Sequence, residues 1–394
     1  MIVLREGKCE NIMYKAYMFR LYPNKKQEEI INKTVGCTRF IYNHFLEDKK
    51  IEYEQSKKSK TAFEQIKTLP TLTKKYPFLK EVDSCSLRNS TLALDDAFKK
   101  FYKGAGYPNY KKKDIHNSYK TNNIKSEYKG NKYESIKLDL ENKLITLPKL
   151  KQVKIRGYRN KTKIIGDVKS AVIRKDAGKY YVSVLVEEDI IKPLFTPNNI
   201  VGIDLGIKDL IITSNYEKTE NSIDMQKYKR KLIGLQRALA RAKSGSKNRY
   251  KLKLKIQKVY KKIRNARKHL IHNIINNLVK ENDIIITENL DIKNMYQNHN
   301  IAKSLTNAPL GEIIRVLKYK TEWQNKKLIQ IDRYCKSSQE CSRCGYINKE
   351  VKNLSIRKWE CKECKTFHDR DYNASENILF EGIKKYMVCC LNEQ

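Results

Sequence analysis

The sequence has no long hydrophobic run and few glycines. No apolar stretch in its 394 residues approaches the roughly 18 residues that a transmembrane helix requires, and no signal peptide or lipidation signal is visible. The 15 glycines do not supply the second phosphate loop that a sugar-kinase or chaperone-type ATPase would need beside Gly202-Ile-Asp-Leu-Gly206. We therefore expect neither a membrane partner nor an ATPase.

Acidic residues are also scarce. The chain has 82 Lys and Arg against 44 Asp and Glu, which gives a formal net charge of +38. Solubility requires a net charge of magnitude only about 2 to 8 in a small domain. The much larger positive charge of this chain therefore predicts a polyanionic partner. Nucleic acid fits better than an anionic membrane, because the N-terminus offers only a short apolar start. We expect a cytoplasmic, nucleoid-associated protein.

Hydrophobic periodicity predicts two parts that meet near residue 197. In the first part, a strand at residues 14–22 is followed by a helix that Pro23-Asn24 begins and that extends to about residue 56. A second helix is predicted at 87–102, and strands at 136–158 and 172–186. Lys192-Pro193 and Pro197-Asn198-Asn199 indicate a linker.

The second part begins with a buried strand that contains Asp204, and another buried strand ends at Glu288. Between them, residues 225–280 contain 19 Lys and Arg and no acidic residue. Apolar residues at helical spacing predict a basic helical hairpin with its turn at Lys243-Ser-Gly-Ser. The predicted packing seam consists of Leu252, Ile256, Val259, Ile263, Leu270 and Ile274. Helices whose charged side chains are all positive are typical of contact with nucleic acid.

Four of the ten cysteines have the spacing of metal ligands. Cys341 and Cys344 form one C-x-x-C pair, Cys361 and Cys364 form another, and sixteen residues separate the two pairs. Four thiolates complete a tetrahedron around zinc and leave no open position for substrate, so the predicted zinc site is structural. Six cysteines lack such spacing and are predicted to be ordinary small hydrophobes or incidental thiols: Cys9, Cys37, Cys85, Cys335, Cys389 and Cys390.

Three carboxylates lie at the ends of predicted elements. Asp204 and Glu288 belong to buried strands, and Asp371 opens a predicted helix directly after the second cysteine pair. Cleavage of a phosphodiester by two divalent cations needs acidic oxygen ligands from separate elements, and Mg²⁺ or Mn²⁺ are the hard ions that such ligands prefer. Each residue alone has an ordinary structural explanation, but their order beside a zinc ribbon favours a catalytic metal centre.

Segments 202–209, 286–290 and 369–374 resemble the three RuvC motifs of the TnpB (OrfB) family of transposon-encoded proteins. Further matches extend the resemblance over nearly the whole chain, at 19–23, 104–113, 244–247 and 337–338. The resemblance implies RNA-guided cleavage of double-stranded target DNA beside a short flanking motif, with a transposon-derived guide RNA. The chain is also similar to the type V CRISPR effectors.

The family implies a multidomain α/β fold. Residues 1–196 would form a wedge-like β-barrel with a helical recognition insert at about 24–115. Residues 197–394 would form an RNase H-like (RuvC) nuclease domain with the basic hairpin at about 225–280 and a zinc ribbon at about 335–368.

Residue by residue, Asp204, Glu288 and Asp371 match the catalytic positions that hold Mg²⁺ (or Mn²⁺), and the four paired cysteines match the structural Zn²⁺ ligands. Asp371 is preferred over Asp369 because it directly precedes Tyr-Asn-Ala. Four positions depart from the family pattern: Lys365 replaces a glycine, Cys335 lies where an aromatic residue or proline is commoner, and Pro309-Leu310 replaces Ser-Trp.

Two other functions remain open. A nuclease-inactive RNA-guided DNA-binding regulator, or an accessory transposition protein, would be favoured by the loss of a carboxylate, but all three are present. A DNA-joining transposase is disfavoured because no tyrosine nucleophile with a paired histidine motif stands out.

Overall fold

The computed structural model describes residues 11–113, 115–128, 131–157, 164–190, 197–221, 225–297, 305, 308–353 and 355–392. The chain separates into two compact units, Met1–Ile191 and Lys192–Gln394. Lys192-Pro193 of the predicted linker, Cys9 and the predicted strand end at Tyr158 lie outside the described residues.

The first unit contains an antiparallel sheet of seven strands in the order β2-β8-β9-β1-β7-β6-β5. Its strands are β1 (Asn11–Tyr22), β2 (Ser118–Asn122), β5 (Lys137–Asp139), β6 (Leu144–Leu147), β7 (Lys151–Arg156), β8 (Asp167–Asp176) and β9 (Lys179–Ile190). A separate hairpin consists of β3 (Lys125–Tyr128) and β4 (Asn131–Glu134). The strands predicted at 14–22 and 172–186 are confirmed, and the segment predicted from residue 136 forms three short strands.

The two edges of this sheet are joined at one end. The Ser135 backbone amide donates to the Ile124 carbonyl at 3.0 Å, and the Ile136 amide donates to Asn123 Oδ1 at 2.8 Å. Side chains from both edges pack into the same core. The sheet therefore curls around its apolar face.

Three helices separate β1 from β2: α1 (Lys25–Ser56), α2 (Ala62–Lys75) and α3 (Ser84–Tyr102). Asn24 begins α1 as predicted, because its side chain accepts from the Gln27 amide while the Gln27 side chain accepts from the Asn24 amide. Pro70 lies inside α2, a helix that sequence periodicity did not predict. The three helices share an apolar core of their own.

The second unit has a five-stranded sheet in the order β12-β11-β10-β13-β14. The strands are β10 (Ile200–Asp204), β11 (Asp209–Thr213), β12 (Lys218–Glu220), β13 (Ile284–Glu288) and β14 (Lys327–Ile331). β10, β13 and β14 run parallel, whereas β11 and β12 are antiparallel to their neighbours. Ile284, Ile285 and Ile286 are fully buried, as expected of a strand covered on both faces.

Helices cover both faces of this sheet. The helices of this unit are α4 (Met225–Arg241), which packs on α5, and α5 (Lys247–Glu281), α6 (Ile292–Met295), α7 (Leu310–Trp323) and α8 (Arg370–Asn392). α5 and α7 contribute to the core on one face, and α8 packs on the other. The predicted break between α4 and α5 is confirmed. Of the predicted seam, Val259 and Ile263 are buried, and Leu270 and Ile274 pack half-buried against the core. The fully buried Ile271 and Ile275 were not part of the predicted seam.

A two-stranded ribbon, β15 (Lys358–Glu360) and β16 (Phe367–Asp369), precedes α8. Among the described helices, none combines the length and apolar character needed to cross a bilayer.

Candidate active site and zinc centre

The four predicted zinc ligands lie together. Their Sγ atoms are all within 4.8 Å of one another, and the Cys341–Cys364 and Cys344–Cys361 pairs are each separated by 3.6 Å. Tetrahedral zinc with Zn–S bonds of about 2.3 Å requires sulfur atoms about 3.8 Å apart. The donor set therefore fits a structural zinc ion, and each thiol comes from one of two turns.

The two turns have the same backbone geometry. The Gly345 amide donates to the Cys341 carbonyl at 2.9 Å, and the Lys365 amide donates to the Cys361 carbonyl at 3.0 Å. Gly345 has φ +78° and Lys365 has φ +56°, so both adopt the left-handed conformation. Lys365 therefore preserves the turn that a glycine makes in the family, at a backbone cost of about 1–2 kcal/mol.

His368 contacts this centre and was missed in the sequence analysis. Its Nε2 lies 3.0 Å from Cys341 Sγ, and its ring packs against Trp359 with the centroids 4.7 Å apart. The β15–β16 register places these two residues opposite each other. Burial lowers the pKa of His368, which favours a neutral imidazole. Its position four residues after Cys364 is a signal that could have marked it as a partner of the sulfur cluster.

The three predicted carboxylates are near enough for Glu288 and Asp371 to act electrostatically on Asp204. Among the described residues, however, only the four cysteines have ligand atoms close enough together to hold a metal ion as the side chains stand. Ile203 pairs with Thr287 in the parallel β10–β13 register, so Asp204 and Glu288 occupy the same edge of the sheet one residue later. Asp371 is the second residue of α8. Burial, followed by the charges of Glu288 and Asp371, raises the pKa of Asp204 to about 7. A buried carboxylate whose charge is destabilised by two acidic neighbours forms a site that cations would stabilise.

Two glycines allow α8 to approach the sheet. A Cβ atom at Gly202 in β10 would lie 2.3 Å from the Ser375 carbonyl oxygen, and one at Gly382 in α8 would lie 2.1 Å from Ile286 Cγ2. Either contact is too short for any side chain. The bare backbone at these positions therefore sets the distance between helix and sheet that places Asp371 near Asp204.

The segment before the ribbon is fixed to both Glu288 and α8. Ser337 Oγ donates a hydrogen bond to Glu288 Oε1. Burial raises the pKa of Glu288, and the Ser337 bond opposes that rise. From α8, the Asn377 side chain donates to the Ser337 and Glu340 carbonyls, both at 2.7 Å, and the Asn373 side chain donates to the Glu340 carbonyl at 2.7 Å. The Asn-Ala part of the third motif is thus the connection between α8 and the zinc ribbon.

Asp369 and Asp371 have different partners. Asp369 Oδ1 accepts from the backbone amides of Asp371 at 3.0 Å and Tyr372 at 3.4 Å, so it caps α8, and Lys218 Nζ contacts its other oxygen at 3.1 Å. Arg357 Nη1 lies 3.2 Å from Asp371 Oδ1. Arg357, which belongs to the segment between the two cysteine pairs, was not predicted from the sequence as a partner of Asp371.

The basic hairpin carries one structural arginine. Arg249 Nη1 donates to the carbonyls of Leu239 at 2.7 Å and Ala242 at 2.9 Å, at the end of α4. Ser246 caps α5 by accepting from the Arg249 amide at 3.1 Å. The turn is thus fixed by local hydrogen bonds, and most of the other Lys and Arg side chains of α4 and α5 are exposed.

Three family models match the chain. OrfB_IS605, described as "Probable transposase", matches residues 181–299, the "Cas12f1-like, TNB domain" matches residues 311–378, and a "Helix-turn-helix domain" matches residues 13–58. In this structure, residues 13–58 contain most of β1 and the single long helix α1.

Individual proteins match over almost the whole chain. A "Putative RNA-guided DNA endonuclease" from Streptomyces pristinaespiralis is 31% identical over 94% of this chain and 89% of its own length. The "Putative RNA-guided DNA endonuclease InsQ" of Escherichia coli is 28% identical over 93% and 92%. The Cas12f1 chain in a cryo-EM complex with sgRNA and target DNA shares the fold, with a TM-score of 0.56, 14% identity, and coverage of 94% of this chain and 99% of that chain.

The mixed α/β fold is thus shared with the Cas12f1 chain, and the four-cysteine cluster lies within the segment that matches the Cas12f1-like TNB domain. The chain belongs to the TnpB (OrfB) family of transposon-encoded proteins.

Proposed function

We propose that this protein is an RNA-guided, divalent-metal-dependent DNA endonuclease of an insertion-sequence transposon. The observation that supports it best is the meeting of Asp204, Glu288 and Asp371 at one edge of the sheet, where burial and mutual repulsion raise the pKa of Asp204. The names of the relatives support a guide RNA and DNA as partners, and the net charge of +38 suits both.

In this proposal the three carboxylates hold Mg²⁺ or Mn²⁺. Two such ions, if held there, would supply activation of the attacking water and stabilisation of the leaving 3'-oxygen. The protein supplies the arrangement of the ligands: Ser337 orients Glu288 by hydrogen bonding, and Asp369 caps the helix that carries Asp371. The Arg357 guanidinium offsets the charge of Asp371.

The proposed domain layout follows from the same assignment. The curled sheet with its three-helix insertion supports a wedge-like β-barrel at residues 1–196 with a recognition insert at about 24–115. The order β12-β11-β10-β13-β14, with α5 and α8 on opposite faces, supports an RNase H-like (RuvC) domain at residues 197–394. The basic hairpin at about 225–280 and the zinc ribbon at about 335–368 belong to that domain, where zinc has a structural role.

The decisive experiment is cleavage of a plasmid that carries the target and its flanking motif, by protein purified with its associated RNA in Mg²⁺. Asp204→Asn, Glu288→Gln and Asp371→Asn should each lower the cleavage rate by a factor on the order of 10³ or more, as removal of a catalytic group does. RNA binding should stay close to normal.

Asp209→Asn is the matched control, because Asp209 belongs to the same motif as Asp204 but begins β11, and this variant should keep cutting. Retained cleavage in the three carboxylate variants would overturn the site assignment. RNA-dependent target binding with no cleavage by the parent protein in either Mg²⁺ or Mn²⁺ would favour the nuclease-inactive regulator.

A further inference from the structure

The loop of residues 332–336, which follows β14, is held beside Glu288 at both of its ends. Before the loop, Ile331 is the Cα partner of Glu288 in the parallel β13–β14 register. After the loop, Ser337 Oγ donates a hydrogen bond to Glu288 Oε1. Tyr334 is three residues from either end, and three steps of trans backbone span at most about 11 Å. The loop, which we call the β14 loop, therefore stays at the carboxylate edge of the sheet.

Contacts within the β14 loop and below it order its backbone. Asp332 Oδ1 accepts a hydrogen bond from the Tyr334 amide at 2.9 Å, and the Asp332 carbonyl accepts from the Cys335 amide at 3.3 Å. Arg333 Nη1 lies 3.3 Å from Asp291 Oδ2, in the segment that follows β13. The Cys335 side chain packs against the apolar core beneath α8. The backbone is thus fixed on both sides of Tyr334.

The Tyr334 side chain, in contrast, extends into solvent. It is 83% exposed, the highest value among the large hydrophobic side chains that the structure describes. At this exposure the ring adds little to stability, because hydrophobic stabilisation scales with the apolar area removed from water. A single exposed aromatic residue needs no explanation by itself. Tyr334 is distinguished by the ordered loop that holds it beside a proposed metal ligand.

An exposed aromatic ring at this place suits a nucleobase. Base stacking on an aromatic side chain works for every base, because each has a π-face. In a duplex, however, both faces of a base are already covered by its neighbours, so the ring can reach a base face only in an unpaired strand. Lys336, two residues later, is also exposed and can offset the charge of a phosphate in the same strand.

We propose that Tyr334 stacks on a base of the unpaired DNA strand that is cut, next to the phosphate that lies at Asp204, Glu288 and Asp371. The stacked base fixes the strand, and the fixed strand places its phosphate at the carboxylates. This inference rests on the proposed function, which supplies the DNA phosphodiester at that edge of the sheet.

The first test is a double-mutant cycle between the protein and its DNA. Full-length protein with its associated RNA would cut matched targets in which one nucleotide at a time, around the cut, lacks its base. Loss of the stacked base should lower the single-turnover rate of the parent about tenfold, the order that stacking of one base contributes. Tyr334→Ser should be about tenfold slower on the intact target, and removal of that base should have no further effect. A scan in which no abasic position depends on Tyr334 would overturn the proposal.

Two variants separate stacking from a structural role. Tyr334→Phe should cut at close to the parent rate, because stacking uses the face of the ring and not the hydroxyl. Phe380→Ser is the matched control, since Phe380 is 49% exposed on α8 and lies about 13 Å along that helix beyond Asp371. A fall of several degrees in the unfolding temperature of Tyr334→Ser, with the abasic pattern of the parent retained, would show that the ring supports only the fold.

Photocrosslinking gives a readout that does not involve cleavage. The full-length protein would be irradiated with a short single-stranded thymidine oligonucleotide that contains 5-iodouracil, in Ca²⁺, which takes carboxylate ligands as Mg²⁺ does. Peptide mapping should find a crosslink at Tyr334, and an excess of duplex DNA should not remove it. Absence of this crosslink would overturn the inference even where the parent protein cuts. A crosslink at Tyr334 in a parent protein that does not cut would instead contradict the proposed nuclease.

Discussion

The second unit contains two clusters of potential cation ligands, one of four thiols and one of three carboxylates. The two clusters are assembled by different means. The thiols of Cys341, Cys344, Cys361 and Cys364 come from two local turns within 24 residues. The carboxylates of Asp204, Glu288 and Asp371 come from two strands and a helix, brought together by sheet register and close helix packing. The sulfur cluster therefore needs only its two local turns, whereas the carboxylate cluster depends on contacts between distant parts of the chain.

The largest expected effect comes from removing a sulfur ligand. Cys361→Ser should abolish zinc binding, a contribution on the order of 10 kcal/mol in zinc-finger peptides, and should leave the ribbon unfolded. Cleavage should be lost as well, because Asn373 and Asn377 connect α8 to the segment that leads into the ribbon. Zinc content and limited proteolysis measure the effect. Cys335→Ser should keep its zinc, and equal zinc loss in both variants would contradict the ligand assignment.

The next largest effect comes from separating α8 from the sheet. Gly202→Ala places a methyl group against the Ser375 carbonyl and should lower the free energy of unfolding by about 3 kcal/mol, with loss of cleavage. Gly234→Ala is the matched control, since Gly234 lies in α4 with no atom within 4 Å of the added Cβ. That control should gain up to about 1 kcal/mol. Normal cleavage in Gly202→Ala would show that the carboxylates do not need this close approach.

Replacing the Asp204 carboxylate should raise, rather than lower, the free energy of unfolding of the metal-free protein. The pKa of Asp204 is raised from 3.8 to about 7 in the folded protein, so folding takes up a proton and stability is lost as pH rises through about 7. Asp204→Asn removes this loss and should stabilise the metal-free protein by about 2 kcal/mol at pH 8, and by less at pH 5. Urea unfolding at the two pH values measures the difference. A larger gain at pH 5 than at pH 8 would refute the assigned cause.

The smallest effect concerns the second cysteine turn. Lys365→Gly relieves a left-handed φ of 56° and should stabilise the zinc-bound ribbon by about 1 kcal/mol. In competition with a chelator, the Lys365→Gly variant should therefore lose zinc more slowly than the parent protein. Lys143→Gly, which relieves a φ of 59° in the first unit, should leave the rate of zinc loss unchanged. A faster loss in Lys365→Gly would mean that the lysine side chain itself supports the turn.

Features that form within one turn or helix could be predicted from the sequence, whereas features that depend on tertiary contacts could not. The spacing of the cysteine pairs follows from local turn geometry, and the Asn24 cap depends only on residues within one helical turn, so both could be identified directly. The order of the carboxylate motifs predicted a catalytic metal centre. The parallel pairing of β10 with β13, however, joins residues more than 80 positions apart and cannot be inferred from a local sequence pattern. His368 and Arg357 were missed because their roles depend on cross-strand register and tertiary contact. The helix α2 was missed because Pro70 interrupts its pattern.

The position of α8 also has a consequence for protein synthesis. Asp371 is 167 residues after Asp204, and ribosomes add about 5–20 residues per second. For roughly 8–30 s, a nascent chain therefore carries the first carboxylate without the third. During that time the sheet edge lacks one of its three acidic groups, and the helix that supplies the third must still be capped by Asp369 and docked at Gly202. A chain still emerging from the ribosome thus lacks the complete set of carboxylates that the proposed function requires.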